Sequence, residues 1–273
     1  MVSVITGGAG GMGLATAKIV GREQPVVLCD VRQDRLDAAA ALKGFDVRLI
    51  NCDVTDRDAV AALFDTAAGI GPVTSVIHTA GVSPSMGDAD YVMRTNAVGT
   101  VNVNEIFFGA APEGAAIVNV ASMAAHLLPE ELIPAGQFPL ALQDGPAFVD
   151  TMAAGYSGFP EEVRSGIAYA VSKAFVRWYS SSQAERFNGR GLRIVSVSPG
   201  SVDTEMGRLE ERAGAGALVT DAAVPRWGTP EEMAELLAFC VSAKAGYLTG
   251  TDILNDGGVV ASMRERARVA ASD

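Results

Sequence analysis

Along the chain, short runs of β-branched and apolar residues alternate with longer, alanine-rich stretches of helical periodicity. The runs Val2–Ile5, Val26–Cys29, Val47–Asn51, Ser75–His78, Ala116–Asn119, Arg193–Ser198 and Thr251–Asn255 read as strands. Helical patterns cover Met12–Gly21, Asp56–Ala67, Tyr91–Phe108, Tyr169–Phe187 and Pro230–Val241. The strands lack the polar alternation of a half-solvated sheet, so they fit strands buried on both faces. Alternation at this spacing predicts repeated βαβ units: a Rossmann-type, doubly wound parallel sheet in three layers, α/β/α. No internal repeat or linker divides the chain, so a single domain over 1–273 is expected.

One region breaks the rhythm. The 46 residues from Met123 to Ala168 carry Pro129, Pro134, Pro139, Pro146 and Pro160. Connections in compact domains usually run about 4–6 residues, and much longer ones tend to be functional or disordered. Leu127, Leu128, Phe138, Phe148, Val149 and Met152 argue against disorder. The segment 123–168 therefore reads as a structured insertion with short helices, placed over a site on the substrate side.

Composition narrows the classes. With 49% hydrophobic and 19% charged residues the chain is ordinarily globular. No stretch reaches the roughly 18 apolar residues of a membrane span. The first strand follows Met1 directly, leaving no room for a leader, so a cytoplasmic location without a membrane partner is expected. A net charge of −11 argues against nucleic acid, which needs a basic surface. It also means that an anionic cofactor must be held by local backbone donors. Cys29, Cys52 and Cys240 form no CxxC and sit in apolar stretches; they read as buried thiols, and no metal site is expected.

Thr6-Gly7-Gly8-Ala9-Gly10-Gly11-Met12-Gly13 runs from the first strand into a helical pattern. Such glycines let backbone approach a pyrophosphate, and the helix amino terminus offers it free N–H groups. Both GxGxxG (Gly8, Gly10, Gly13) and GxxxGxG (Gly7, Gly11, Gly13) are satisfied; alone, the loop is equally a tight turn. Asp30 closes the second strand 17 residues past Gly13, where a carboxylate can accept from ribose hydroxyls. It would repel a 2′-phosphate by roughly 4 kcal/mol at about 4 Å and an effective dielectric near 20. Arg32 softens this, and NAD is expected over NADP. Asp53-Val54 ends the third strand similarly, as an adenine contact or a plain turn.

Tyr169 and Lys173 share one helix face at i and i+4. A lysine cation about 5 Å away favours phenolate by roughly 3 kcal/mol, or about two pKa units. That brings a phenol into the range of acid/base exchange with an alcohol. Ser122 follows a strand and lies at the carboxyl edge of the sheet, where ligands of open α/β sheets bind. Asn96 falls inside a helical stretch, where asparagine is often back-bonded.

Together these residues resemble the short-chain dehydrogenase/reductase family from Val4 to about Gly258. The matching elements are Thr6-Gly7-xxx-Gly11-x-Gly13, Asp53-Val54, Ala80-Gly81, Asn96, Ser122, Tyr169-xxx-Lys173, Pro199-Gly200 and Asp256-Gly257-Gly258. The resemblance implies that Tyr169 exchanges the proton, Ser122 holds the carbonyl oxygen and Asn96 fixes a relay water. Lys173 would bind the nicotinamide ribose and depress the tyrosine pKa. Gly7, Gly11, Met12, Gly13, Asp30, Asp53, Val54, Ala80 and Gly81 fall on the cofactor side. Pro199 and Gly200 lead a segment in which the Val202 backbone and Thr204 hydroxyl hold the carboxamide. The family's usual Asn-Asn-Ala-Gly is here His78-Thr79-Ala80-Gly81, with His78 read as a strand-end residue. His126 reads as a loop residue or as part of the cleft.

The long connection before Tyr169 is similar to the 3α-hydroxysteroid dehydrogenase/carbonyl reductase branch. The implied activity is NAD-dependent interconversion of a hydrophobic secondary alcohol, steroid-like as a first guess, and its ketone. The alternatives are an NADPH-dependent carbonyl reductase and a non-catalytic NAD-binding sensor. Family members pair through long helices, so a homodimer or homotetramer is expected; Phe175, Trp178 and Tyr179 fit a core or an interface.

Overall fold

The computed structural model describes residues 1–40 and 44–272. Seven strands form one sheet: β1 (Val2–Thr6), β2 (Val26–Asp30), β3 (Val47–Asn51), β4 (Val73–His78), β5 (Ala116–Val120), β6 (Arg193–Pro199) and β7 (Asp252–Asn255). All pairs are parallel, in the order β3-β2-β1-β4-β5-β6-β7. Every expected strand is present within two residues of its anticipated bounds. β1, β2 and β5 are buried along their whole length, which is why they read as mostly apolar runs without polar alternation.

Helices α1 (Gly11–Val20), α2 (Gln33–Ala39) and α3 (Arg57–Ile70) follow the first three strands. After β4 come α4 (Ala89–Met93) and α5 (Gly99–Ala110). After β5 come α6 (Ala124–Leu127), α7 (Gly145–Tyr156), α8 (Glu161–Ser182) and α9 (Ala184–Asn188). β6 leads to α10 (Glu205–Glu210), α11 (Ala217–Asp221) and α12 (Pro230–Val241), and α13 (Val259–Ala270) follows β7. Successive strand residues feed opposite layers. Val4, Val27 and Ile117 meet α3, α5 and α8 through Leu63, Phe107 and Phe175. Ile5, Leu28 and Val118 face α1 and α12 through Ala17 and Leu237.

Two helices differ from expectation. The stretch Tyr91–Phe108 is not one α-helix, because a π-helical turn, Arg94–Val98, separates α4 from α5. The helix expected to begin at Tyr169 begins at Glu161, after Pro160. Its first turn carries Glu161 and Glu162, which suit the positive end of the helix dipole.

Segment 123–168 comprises α6, short 3₁₀ turns at Glu130–Leu132 and Ala135–Leu142, α7 and the start of α8. Its aromatic side chains turn inward. Phe138 and Phe148 are buried, and the Phe138 ring lies 5.3 Å from Phe175 and 5.5 Å from Trp178, centroid to centroid. Phe175, Trp178 and Tyr179 thus belong to this chain's own core. Among the described residues no helix is long and apolar enough to cross a membrane, and no side-chain cluster is arranged for a metal. The three cysteines are buried and unbridged.

Candidate active site

The strand order reverses between β1 and its neighbours β2 and β4, and ligands of such sheets bind beyond the carboxyl ends of the strands there. The glycine loop occupies this crevice. Gly7 has φ +62, and a Cβ there would stand 2.8 Å from the Ala80 backbone. A Cβ on Gly11 would strike the Thr204 methyl, and one on Gly13 would lie 2.6 Å from the Gly7 carbonyl. A Cβ at Gly8 would stand 2.7 Å from the Ile5 carbonyl, whereas one at Gly10 meets nothing closer than 3.5 Å, so all three glycines of the Gly7, Gly11, Gly13 spacing are required by close approach and Gly10 is not. α1 starts at Gly11 with no side-chain cap, leaving its first-turn N–H groups for a ligand.

Asp30 is buried at the end of β2, with Oδ1 accepting from Arg32 N at 3.0 Å. Asp53 turns back on its own loop: Oδ1 accepts from Thr55 N and Thr55 Oγ1, both at 2.8 Å. Val54 is in the core, and its carbonyl accepts from Asn102 Nδ2 at 3.0 Å. These bonds make a strand-end turn of the Asp53-Val54 pair.

The reacting end is a cleft of about 280 Å³. Ser122, Tyr169 and Lys173 line it together with Met12, Gly81, Pro199, Gly200, Val202 and Thr204. β5 delivers Ser122 at its carboxyl end, while α8 delivers Tyr169 and, one turn later, Lys173. The Lys173 ammonium lies 5.9 Å from the Tyr169 ring centroid and donates to the Val120 carbonyl at 3.0 Å. Ser122 Oγ accepts from Ala124 N at 3.2 Å.

Burial pushes the Tyr169 phenol up; the Ser122 hydroxyl acts in the opposite sense, and the Glu210 charge adds to the rise. Burial lowers the Lys173 ammonium itself to about 8, because the same desolvation that raises an acid's pKa disfavours the cation beside it.

Asn96 sits in the π-helical turn, a feature often found at functional sites. Its Nδ2 donates to Val82 O at 3.0 Å and Ser172 Oγ at 3.1 Å, and Oδ1 accepts from Val82 N at 2.8 Å. A Cβ on Gly81 would approach Asn96 Oδ1 at 3.1 Å and Lys173 Nζ at 3.2 Å, so Gly81 lets both crowd one spot. Thr204 caps α10, its Oγ1 accepting from Gly207 N at 3.0 Å. His78 is buried, and desolvation and the nearby Lys173 lower it to about 3, which excludes it as a second base.

His126 points away from the cleft: Nε2 lies 2.8 Å from Asp252 Oδ2. Asp252 Oδ1 accepts from Ser196 Oγ at 2.6 Å and Ser198 Oγ at 3.0 Å. Burial raises Asp252, but these donors outweigh it and its pKa is lowered. The cleft also draws on residues the sequence reading missed. Met206, Glu210, Leu218 and Trp227 line it, whereas the only side chains of 123–168 that do so are Met123, Ala124 and Leu127. Met206, Leu209 and Leu218 are scattered among Arg208, Glu210, Glu211 and Arg212, so no apolar run marks this wall of the cleft in the sequence.

A doubly wound sheet with a glycine cradle at one end and Tyr169, Lys173 and Ser122 at the other defines a dinucleotide-dependent oxidoreductase. Residues 1–133 match the family model described as short chain dehydrogenase, and residues 141–260 match that described as enoyl-(acyl carrier protein) reductase. The chain is 31% identical over 268 residues to a short-chain dehydrogenase/reductase, bsc3, of Alternaria brassicicola, covering 93% of this chain and 94% of that one. It is 26% identical over 276 residues to 3beta-hydroxysteroid dehydrogenase 1 of Eggerthella lenta, covering 94% and 92%. A short-chain dehydrogenase/reductase structure from Serratia marcescens shares the fold with a TM-score of 0.75 at 23% identity, covering 95% and 97%. The chain belongs to the short-chain dehydrogenase/reductase family, oxidoreductases that act on CH–OH groups with a nicotinamide cofactor.

Proposed function

We propose that this protein uses NAD to interconvert a hydrophobic secondary alcohol and its ketone, with Tyr169 as the acid/base. The observation that carries the reading is the meeting of Tyr169, Ser122 and Lys173 in one cleft walled by Met123, Leu127, Met206, Leu218 and Trp227. Pockets for apolar small molecules are built this way, with a few polar groups fixing orientation. The glycine loop fits a dinucleotide: it packs too closely on Ala80 and Thr204 for a Cβ at Gly7 or Gly11, and it leads into the uncapped start of α1. The loop backbone from Gly7 to Gly13 would hold the pyrophosphate, Asp30 a ribose and Lys173 the nicotinamide ribose. When bound, the oxidised cofactor supplies a hydride acceptor and a positive charge that opposes the rise in the Tyr169 pKa.

Ser122 orients the carbinol oxygen, and Tyr169 Oη takes its proton as the hydride leaves the same carbon. Ketone reduction returns both. The lowered pKa of Lys173 lets it pass a proton on near neutral pH, and Asn96, which crowds the same spot over Gly81, would fix a relay water beside it. Steroid-like alcohols head the substrate list, in keeping with the activity named for the Eggerthella relative. The resemblance favours a homodimer or homotetramer, paired through faces other than the covered aromatics of α8.

NAD rather than NADP is supported by buried Asp30 and by the arginines beside it. Arg32 pairs with Asp34, and Arg35 pairs with Glu205 at 2.7 Å. A second reading, NADPH-dependent reduction, rests on the Arg35 guanidinium, 3.5 Å from where a Gly10 Cβ would lie. The test follows formation of reduced nicotinamide with NAD and with NADP across hydrophobic secondary alcohols, steroids included, with Tyr169→Phe as control. The expected result is NAD-linked turnover that falls by about 10²–10⁴-fold in the variant. Turnover untouched by the substitution, or none with any alcohol, removes this reading.

A further inference from the structure

Glu210 ends α10 on the cleft side, and Met206, four residues earlier, lines the same cleft, so this helix turns one face inward. Lys173 apart, Glu210 is the one charged side chain lining the cleft among the described residues. Its Oε1 accepts from Ser85 N at 3.2 Å across the mouth, where Pro84–Met86 forms the facing lip. The other carboxylate oxygen has no protein donor among the described residues. Ser83, on the same lip, buries a hydroxyl that has no hydrogen-bond partner and also lines the cleft. A polar group left unsatisfied in an apolar wall is costly unless a ligand completes it.

We propose that Glu210 determines substrate specificity: it receives a hydrogen-bond donor, hydroxyl or amine, carried by the substrate beyond its reacting carbon, and rejects carboxylates. This rests on the alcohol–ketone reading above. Glu210 and Tyr169 line one cleft, so a substrate that fills it meets both groups, and the Glu210 charge adds to the rise of the Tyr169 phenol. The Ser83 hydroxyl supplies an acceptor and donor beside it, so a second substrate hydroxyl can both give and take a hydrogen bond. An anion there meets like charge, and a methyl group leaves both polar groups unanswered.

The probes are 4-methylcyclohexanol, 1,4-cyclohexanediol, 4-aminocyclohexanol and 4-hydroxycyclohexanecarboxylate, offered to the wild-type protein and to Glu210→Gln. Both kcat/KM with NAD and the Kd for the NADH-loaded protein are measured, so binding is judged apart from turnover. Wild-type protein is expected to prefer the diol or the amine to the methyl compound and to disfavour the carboxylate. In Glu210→Gln the carboxylate-to-methyl ratio rises about tenfold, about 1.4 kcal/mol. The amide keeps an oxygen for Ser85 N, so the lip stays joined. Ratios that do not move, all probes shifting together, or no binding of any probe overturns the proposal. Ratios that shift in binding while no alcohol is oxidised leave it standing and remove the dehydrogenase reading instead.

Discussion

At the end of β4, the His78 imidazole is held between two hydroxyls. Thr6 Oγ1 lies 2.7 Å from Nδ1 and Thr100 Oγ1 lies 3.0 Å from Nε2. Thr100 spends its own proton on the Asn96 carbonyl at 2.7 Å, so Nε2 must carry the ring proton and Nδ1 accepts from Thr6. The chain from His78 through Thr100 to Asn96 braces the π-helical turn that presents Asn96. The ring is neutral in the fold, with its pKa near 3, whereas in the unfolded chain it titrates near 6.5. Below pH 6.5 the unfolded state therefore binds a proton that the native state refuses. Stability falls with pH through the window from 6.5 to 3, by about 1.4 kcal/mol per unit from this group. Urea unfolding of the wild type and of His78→Asn at several pH values checks this. The wild-type loss of stability between pH 6.5 and 4.5 should exceed the variant's by about one proton's slope, and parallel slopes would show that His78 is protonated in the fold.

Among the elements, the inserted segment turns its aromatic side chains into the core, while Met123, Ala124 and Leu127 at its start line the cleft. Phe138 packs against Phe148, Phe175 and Trp178, so Phe138→Ala should cost about 3–5 kcal/mol of stability while KM for the alcohol stays near the wild-type value. A raised KM in the folded variant, with stability intact, would return the segment to the substrate side. The inner strands were legible because burial on both faces removes the polar alternation, whereas the edge strands β3 and β7, only partly buried, show as short apolar runs between polar residues. The Ser122, Tyr169 and Lys173 trio was legible because strand ends and i, i+4 spacing fix where side chains emerge. The destination of an apolar side chain is not written that way: Phe138 and Met206 look alike in sequence, yet one fills the core and the other the cleft. The π-helical turn has no residue signature either. Asp53 is ambiguous in sequence because an acid at a strand end satisfies a turn as readily as a ligand, and here its Oδ1 accepts from Thr55. A further test at this scale concerns the contact between the glycine loop and the β6–α10 connection. Gly11→Ala should weaken NAD binding, because its Cβ falls on the Thr204 methyl. Thr204→Ser, which deletes that methyl and keeps the capping hydroxyl, should restore part of the affinity in the double variant. Failure to recover in NAD titrations would place the damage elsewhere in the loop.

Across the whole molecule, α10 ties distant parts of the chain together at both of its ends. Glu210 reaches Ser85 on the substrate lip, and Glu205 reaches Arg35 at 2.7 Å and Arg32 at 3.6 Å beside the glycine loop. The helix thus spans the dinucleotide crevice, with acids answering the groups on each bank. For a protein of net charge −11, the two arginines are a local reserve of positive charge where an adenosine ribose would lie. Asp34 pairs with Arg32 and Glu205 with Arg35, and Asp30 adds its own charge against a 2′-phosphate. The proposed cofactor preference would then follow from the balance of these five side chains rather than from Asp30 alone. Glu205→Gln should free the arginines and raise the affinity for NADP relative to NAD several-fold. Because both guanidiniums are partly exposed to solvent, salt should screen the gain. Titrating both cofactors at low and at physiological ionic strength separates the possibilities. A ratio that rises in the variant at low salt and shrinks at higher salt assigns the preference to this charge balance, and a ratio that stays fixed in both leaves Asp30 as the sole determinant.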